Sequence, residues 1–504
     1  MIQILLGDCI KKEIFTLFIA IIALASLALT VISGLDPVSK IILAILEMVV
    51  SGEVIMRRNK FSKIFLGTYM MSGKTGISAI EKLSKKAPRL WKYIADWGIV
   101  VSLGLLSYFV LRNESRREKA AIYIIGLLTL VAVILIVLPA SIIPINLINI
   151  PQVQSRITPA VAACIPIPSQ ISSAAPSSSN EYLYYLLVAA VIIGGLAFLI
   201  PILLFFNAAT ILLALASSIE SISSHNYAAA YNTLNSQIPG VAPIIPGITI
   251  PLAAGIISLI IILSSHEFFH GILARLSRIK IKSTGLLLFG IIPIGAFVEP
   301  DEKKIIKLSK KEQNRISIAG VAANMMEALV FMVLMLFFVG YVNPYFSHTN
   351  VAVIDTVAGS PACNVITPGS TLLSINGQKI YNISSISNIE KSLGGGNVAN
   401  VQTNTGNYLL TTEAGGKLGV ILTQNITQNN GIVPSILYFI YTVFALSFIL
   451  SFSLAAFNLL PIAGLDGYRV YQLELGKKSR LLRIALIIVI AALILNVIPL
   501  LTSL

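Results

Sequence analysis

His266-Glu267-Phe268-Phe269-His270 sets two imidazoles four positions apart, with a carboxylate directly after the first. On a helix, residues i and i+4 project from one face about one turn apart, a separation at which two side chains can share one metal ion. Glu267 then lies close enough to polarise a water on that metal, so the string reads as part of a zinc site for hydrolysis. The chain has only 4 histidines in 504 residues, and this string holds His266 and His270. A catalytic zinc takes a third protein ligand and keeps its fourth position for water. The sequence offers Asp466, in Asn458-Leu-Leu-Pro461-Ile-Ala-Gly-Leu-Asp466-Gly467, where an apolar stretch runs into a Pro and Gly turn. Each piece has a blander reading: two buried helix histidines, or a turn aspartate before glycine. Their occurrence together, with Glu267 in place as a base, favours a hydrolytic metal centre. His225 and His348 stand alone in expected loops and suggest no second one.

The string ends an apolar run, Ile250–Leu263, and the elements that carry it must therefore lie in a membrane. The composition agrees: 56% of residues are hydrophobic and 12% charged, with a mean hydropathy of +0.86, more apolar surface than a soluble chain of this length could bury. Apolar runs long or nearly long enough to span are Ile14–Ile32, Ile41–Met56, Trp97–Leu111, Ala121–Leu138, Leu183–Ser217, Ile250–Leu276, Ile316–Val342, Ile436–Leu460 and Leu481–Leu501. The net charge of +14 sits between these runs, which points to an anionic lipid bilayer and not to nucleic acid. Basic residues cluster over 275–315 and 477–483 and are sparse over 344–434, so the HExxH helix is expected to run inward and the segment after Tyr341 to lie outside. Nine spans from a cytoplasmic N-terminus require Arg112–Lys119 outside and Leu183–Ser217 as one helix kinked at Pro201. Ile77-Ser-Ala-Ile80-Glu-Lys-Leu83 fits an amphipathic helix on the cytoplasmic surface. Ile143–Ser179 and Glu220–Gly247 read as loops. Glu47, Glu53 and Glu327 lie in or near apolar runs, with no partner at helical spacing. Cys9, Cys164 and Cys363 form no CxxC pair and indicate neither a disulfide framework nor a thiolate zinc site.

Two stretches suggest strands. Gly285–Phe297 is apolar, punctuated by Gly285, Gly290 and Gly295, and reads as an edge strand able to pair with an extended peptide. From Val351 to Leu422 short β-rich segments alternate with turns, one of them at Asn376-Gly377.

HEFFH followed by Gly271, together with NLLPIAGLDG, resembles the two signature segments of the site-2 protease family of intramembrane zinc metalloproteases. Ser317-Ile-Ala-Gly320-Val-Ala-Ala-Asn324 is similar to that family's small-residue G-x-x-x-N stretch. Ala463 stands where many members have a second Pro. The resemblance covers roughly Pro246–Leu504 and implies that His266, His270 and Asp466 bind one Zn2+, that Glu267 is the general base, and that Asn324 and Asn458 hydrogen-bond substrate or the oxyanion. Ser360-Pro-Ala, Pro368-Gly and the Ile375-Asn-Gly-Gln-Lys-Ile380 segment resemble a PDZ domain attached to a protease, which implies a peptide groove.

The expected architecture is a polytopic α-helical membrane protein with a three-helix metalloprotease core and a small α/β PDZ-like extracytoplasmic domain. Its segments are 1–245 (an N-terminal membrane extension), 246–345 (HExxH helix, β-hairpin and G-x-x-x-N helix), 346–428 (PDZ-like) and 429–504 (the Asp466 segment and last helix). The expected activity is cleavage of membrane-anchored proteins in or near their spans at a cell membrane, with the active site toward the cytoplasm. The rival is a catalytically silent scaffold binding partners through the PDZ-like insert, which would have no use for Glu267.

Overall fold

The computed structural model describes residues 2–137 and 178–502, apart from 36, 60, 75, 112–115, 228–229, 231–232, 234–239, 242–243, 248, 357–359, 364, 368, 414 and 429–430. Its helices are α1 (Ile2–Ile32), α2 (Pro37–Asn59), α3 (Ile77–Lys86), α4 (Pro88–Leu103), α5 (Ser107–Val110), α6 (Arg116–Val137), α7 (Ser178–Gly194) and α8 (Leu196–Ser223), then α9 (Leu252–Leu276), α10 (Glu302–Ile305), α11 (Lys310–Val342), α12 (Ile383–Leu393), α13 (Ile432–Phe457), α14 (Asp466–Leu475) and α15 (Arg480–Thr502). Among the described residues, 6 helical stretches are long and apolar enough to cross a membrane: Pro88–Val110, Leu196–Ser223, Leu252–Leu276, Lys310–Val342, Ile432–Phe457 and Arg480–Pro499. The chain is a polytopic helical membrane protein carrying two small antiparallel sheets.

α9, α11 and α13 pack against one another, and α4 packs on α11 as well. Lipid offers helices no hydrophobic drive to associate, so close packing of small side chains does that work. The run Ser317–Asn324 supplies it: all eight residues are buried, and Gly98 of α4 lies so close to Ala322 that a Cβ built on it would come within 2.3 Å of the Ala322 Cβ. One apolar core joins Ile99 of α4, Leu199 of α8, Ile272 of α9, Val321 of α11, Ala455 of α13 and Val489 of α15.

The first sheet has the order β1-β2-β3-β4, with β1 (Ser62–Phe65), β2 (Thr68–Gly73), β3 (Ile281–Phe289) and β4 (Ile292–Pro300). β2 pairs with β3 from Thr68↔Phe289 to Gly73↔Thr284, so a hairpin from the N-terminal region extends a hairpin that follows α9. The expectation of one edge strand over Gly285–Phe297 is corrected. Gly290, at φ 60°, turns the chain back in the middle of that segment, making β3 an interior strand and leaving β4 as one edge of the sheet, with β1 as the other.

The second sheet comprises β5 (Phe346–Thr356), β6 (Thr371–Ile375), β7 (Gln378–Lys379), β8 (Val398–Thr403), β9 (Asn407–Thr411) and β10 (Val420–Gln428), in the order β10-β5-β6-β8-β9 with β7 on β6. The expected turn at Asn376-Gly377 is present with both residues at positive φ, 48° and 78°, as a two-residue hairpin requires. His348 lies on β5 and not in a loop.

Other expectations are also revised. Leu183–Ser217 is not one helix kinked at Pro201: the chain breaks at Gly195, at φ 66°, and Pro201 sits inside α8. The run expected at Trp97–Leu111 begins earlier, at Pro88, and is interrupted by Gly104 at φ 55°. α3 does not merely lie on a surface, because Ile80 is fully buried against Gly271 of α9. The acidic residues left without a partner acquire them across elements. Glu47 of α2 accepts hydrogen bonds from Ser26 and Thr30 of α1 at 2.8 and 2.7 Å, Glu53 pairs with Lys63 at 2.6 Å, and Glu327 accepts from Ser265. Among the described residues Cys363 forms no disulfide, and Cys164 lies outside them, as does nearly all of Ile143–Ser179.

Candidate metal centre

His266 and His270 face one way from α9, and Asp466 opens α14 directly opposite them. The His266 Nε2–His270 Nε2 distance is 3.4 Å, His266 Nε2–Asp466 Oδ2 is 3.4 Å and His270 Nε2–Asp466 Oδ2 is 3.2 Å. A tetrahedral zinc with ligands at about 2.0–2.1 Å sets any two of them about 3.3–3.4 Å apart. The three atoms thus form one face of a zinc tetrahedron, and the residues fit the ion. Among the described residues this is the one such cluster.

The protonation pattern also fits. His270 Nδ1 lies 2.7 Å from the carbonyl of Ile316, which can only accept, so Nδ1 carries a hydrogen and Nε2 is the ring nitrogen turned toward His266 and Asp466. For Asp466, burial pushes the carboxyl up, but the charge and hydrogen bond of His270, with His266 and Arg469 behind it, outweigh burial and hold it below its ordinary value. Its charged form is the one a cation needs.

Glu267 points across to the sheet. Its Oε2 accepts the backbone N–H of Val298 at 2.9 Å, which fixes the carboxylate between α9 and the edge strand β4. Gly320 borders His266: a Cβ there would lie 2.3 Å from the ring's Cε1 and Nε2. Asn324, one turn further along α11, is fully buried with its amide within reach of the His266 ring.

The second segment is positioned by backbone contacts. α13 ends at Phe457, and Asn458 caps it, with its carbonyl accepting the N–H of Gly467 at 2.8 Å. Gly467 in turn leaves no room for a side chain, since a Cβ would fall 2.7 Å from Leu459 Cα and O. Tyr471 donates its hydroxyl to Leu459 O at 2.7 Å and closes the same turn from α14. Asn458 therefore sits beside Asp466 in space, and its backbone sets where that carboxylate stands.

All six residues expected at the site lie on α9, α11 or the Asn458–Asp466 turn. Reasoning from the sequence missed Val298 and Ile316, whose main-chain groups hold Glu267 and His270, because a backbone donor or acceptor leaves no signal in residue type. Glu327, noted in the sequence but left without a role, binds Ser265, the residue just before His266.

A family model described as peptidase family M50 matches residues 254–499. An uncharacterized protein of Methanocaldococcus jannaschii is 34% identical over 231 residues, which cover 45% of this chain and 58% of that relative. The chain therefore spans little more than half the length of the curated relative it matches.

Proposed function

The matched segment, residues 254–499, belongs to peptidase family M50, and on that premise we propose that the protein is an intramembrane zinc endopeptidase that cleaves membrane-anchored proteins within or beside their spans. The observation that carries this reading is the convergence of His266, His270 and Asp466 at 3.2–3.4 Å, with Glu267 beside them. Zinc, when bound, supplies Lewis acidity that makes a water nucleophilic at neutral pH and polarises the scissile carbonyl. Glu267 takes the proton from the attacking water and returns it to the leaving amine. Its anchor on Val298 N–H keeps the carboxylate from swinging away between those two transfers. Asn324 and Asn458 donate to the substrate backbone or the developing oxyanion; the burial of Asn324 one turn from Gly320, which borders His266, supports that role.

A transmembrane helix presents no free carbonyl, so the substrate must be unwound before it is cut. The outer edge of β4 is where an extended segment would be received, by strand addition next to Glu267. The site is assigned to the cytoplasmic end, because Lys303, Lys304, Lys307, Lys310 and Lys311 join β4 to α11 and Lys477 and Lys478 follow α14. The sheet between α11 and α13 then lies outside and acts, as a PDZ-like module, on the exposed end of the substrate.

The test is metal content and cleavage of a single-span substrate by detergent-purified protein. Wild type and Glu267→Gln should each hold about one zinc per chain, and Asp466→Asn less. Cleavage should fall by about 10²–10⁴-fold in Glu267→Gln and be lost in Asp466→Asn. Wild type without zinc, or full activity in Glu267→Gln, overturns the reading.

A further inference from the structure

The start of α11 is tied to three other elements within three consecutive residues. Asn314 Nδ2 donates to Glu474 Oε1 of α14 at 2.7 Å. Arg315 forms a two-pronged ion pair with Asp96 of α4, Nε to Oδ1 at 2.7 Å and Nη2 to Oδ2 at 2.5 Å, and its Nη1 reaches Glu312 at 2.8 Å. Ile316 offers its carbonyl to His270 Nδ1 at 2.7 Å. Asp96 and Arg315 are 2% and 5% exposed, so this is a desolvated pair of fixed geometry and not a surface contact. Gly98, one helical half-turn after Asp96, packs so closely on Ala322 that no Cβ fits between them, and α4 and α11 are in close contact here.

We propose that Asp96 is a positioning residue for the metal centre, acting from outside the family-matched segment: its pairing with Arg315 sets the height of α11, and thereby the Ile316 carbonyl that orients His270 and the Gly320 backbone that backs His266. The metal-ligating histidines sit on α9, but both take their orientation from α11, and α11 takes its height from α4. The groups that orient a ligand histidine commonly control metal affinity by ten- to a hundredfold. Asp96 stands one contact further out than Ile316, so its removal belongs at the lower end of that range.

This inference rests on the zinc-site reading above, and its test separates the two. Zinc affinity is measured by competition with a chromogenic chelator in the full-length, detergent-purified protein, alongside the melting temperature of the metal-free form. The variants are Asp96→Asn, which keeps shape and removes charge, and the apolar pair Asp96→Leu with Arg315→Met. The second covers the case in which Asp96→Asn does not fold, because well-packed apolar replacements of a buried ion pair are commonly neutral or stabilising. The expected result is a zinc dissociation constant raised about tenfold in each folded variant, including the apolar pair whose metal-free melting temperature matches wild type. A purely structural pair would move the melting temperature and leave the affinity of the folded protein unchanged. Wild-type affinity in the folded apolar pair overturns this inference alone. A wild type that binds no zinc overturns the metal-centre reading, and this inference with it.

Discussion

At Gly320 the missing side chain has a defined purpose. A Cβ would stand 2.3 Å from two atoms of the His266 ring, inside any real contact distance, so alanine forces either the imidazole or α11 to move. Alanine is the better helix former by about 1 kcal/mol, so a loss on Gly320→Ala cannot be assigned to a weaker helix. We expect Gly320→Ala to leave the protein folded and to weaken zinc binding by about ten- to a hundredfold, read by chelator competition; wild-type affinity would mean that the ring has room to step aside. The cluster of His266, His270 and Asp466 was legible from sequence as a candidate, because two histidines at i and i+4 carry a local period and Asp466 follows a Pro and Gly turn. The supporting contacts were not. Glu267 meets Val298 across 31 positions and His270 meets Ile316 across 46, and in each case the partner is a main-chain atom that every residue type possesses.

Among the elements, β4 bears most directly on the proposed reception of substrate. Val298 turns its N–H away from β3 toward Glu267, and in an antiparallel ladder alternate residues face the same way, so Ala296 also turns its N–H to the open edge. Proline there removes an outward donor without costing the β3 ladder a bond, the one strand setting in which proline is tolerated. Ala296→Pro should keep wild-type zinc affinity while losing one hydrogen bond to an added substrate strand, about 0.5–1.5 kcal/mol, or roughly a three- to tenfold fall in kcat/KM carried by KM. Unchanged kinetics in a folded variant would remove β4 as the receiving edge. That this strand, and not the whole of Gly285–Phe297, is the edge was hidden because β2 comes from the other half of the chain, and hydrophobic pattern reports that a strand is buried but not what covers it. The break before α8 was misplaced for a related reason. Proline is the louder signal in sequence, yet Gly195 supplies the positive φ that ends α7, while α8 runs on through Pro201 in its second turn.

Across the whole molecule, the N-terminal region reaches the family-matched half at many places, and three of them are polar or backbone pairings. β2 completes the sheet beside β3, Asp96 pairs with Arg315, and Asn207 of α8 donates to Asn496 of α15 at 2.7 Å while Asn496 reaches back to the Leu204 carbonyl at 2.9 Å. Asn207 and Asn496 are 7% and 0% exposed, and a buried amide pair between helices has no water to fall back on, so each of these contacts is costly to leave unmade. The family match starts at residue 254, but the physical unit does not. Residues 246–504 expressed alone should therefore expose the β3 edge, a buried arginine and a buried asparagine, and should yield aggregated or zinc-free protein in detergent. Residues 1–245 supplied as a second chain should restore it, because all three contacts join one fragment to the other and none depends on the peptide bond between them. The readout is co-purification of the two fragments with zinc bound. A fragment 246–504 that binds zinc with full-length affinity and melting temperature would show that the metal centre holds its shape without the N-terminal helices. In that case the contacts through β2, Asp96 and Asn207 would serve the docking of those helices and not the site.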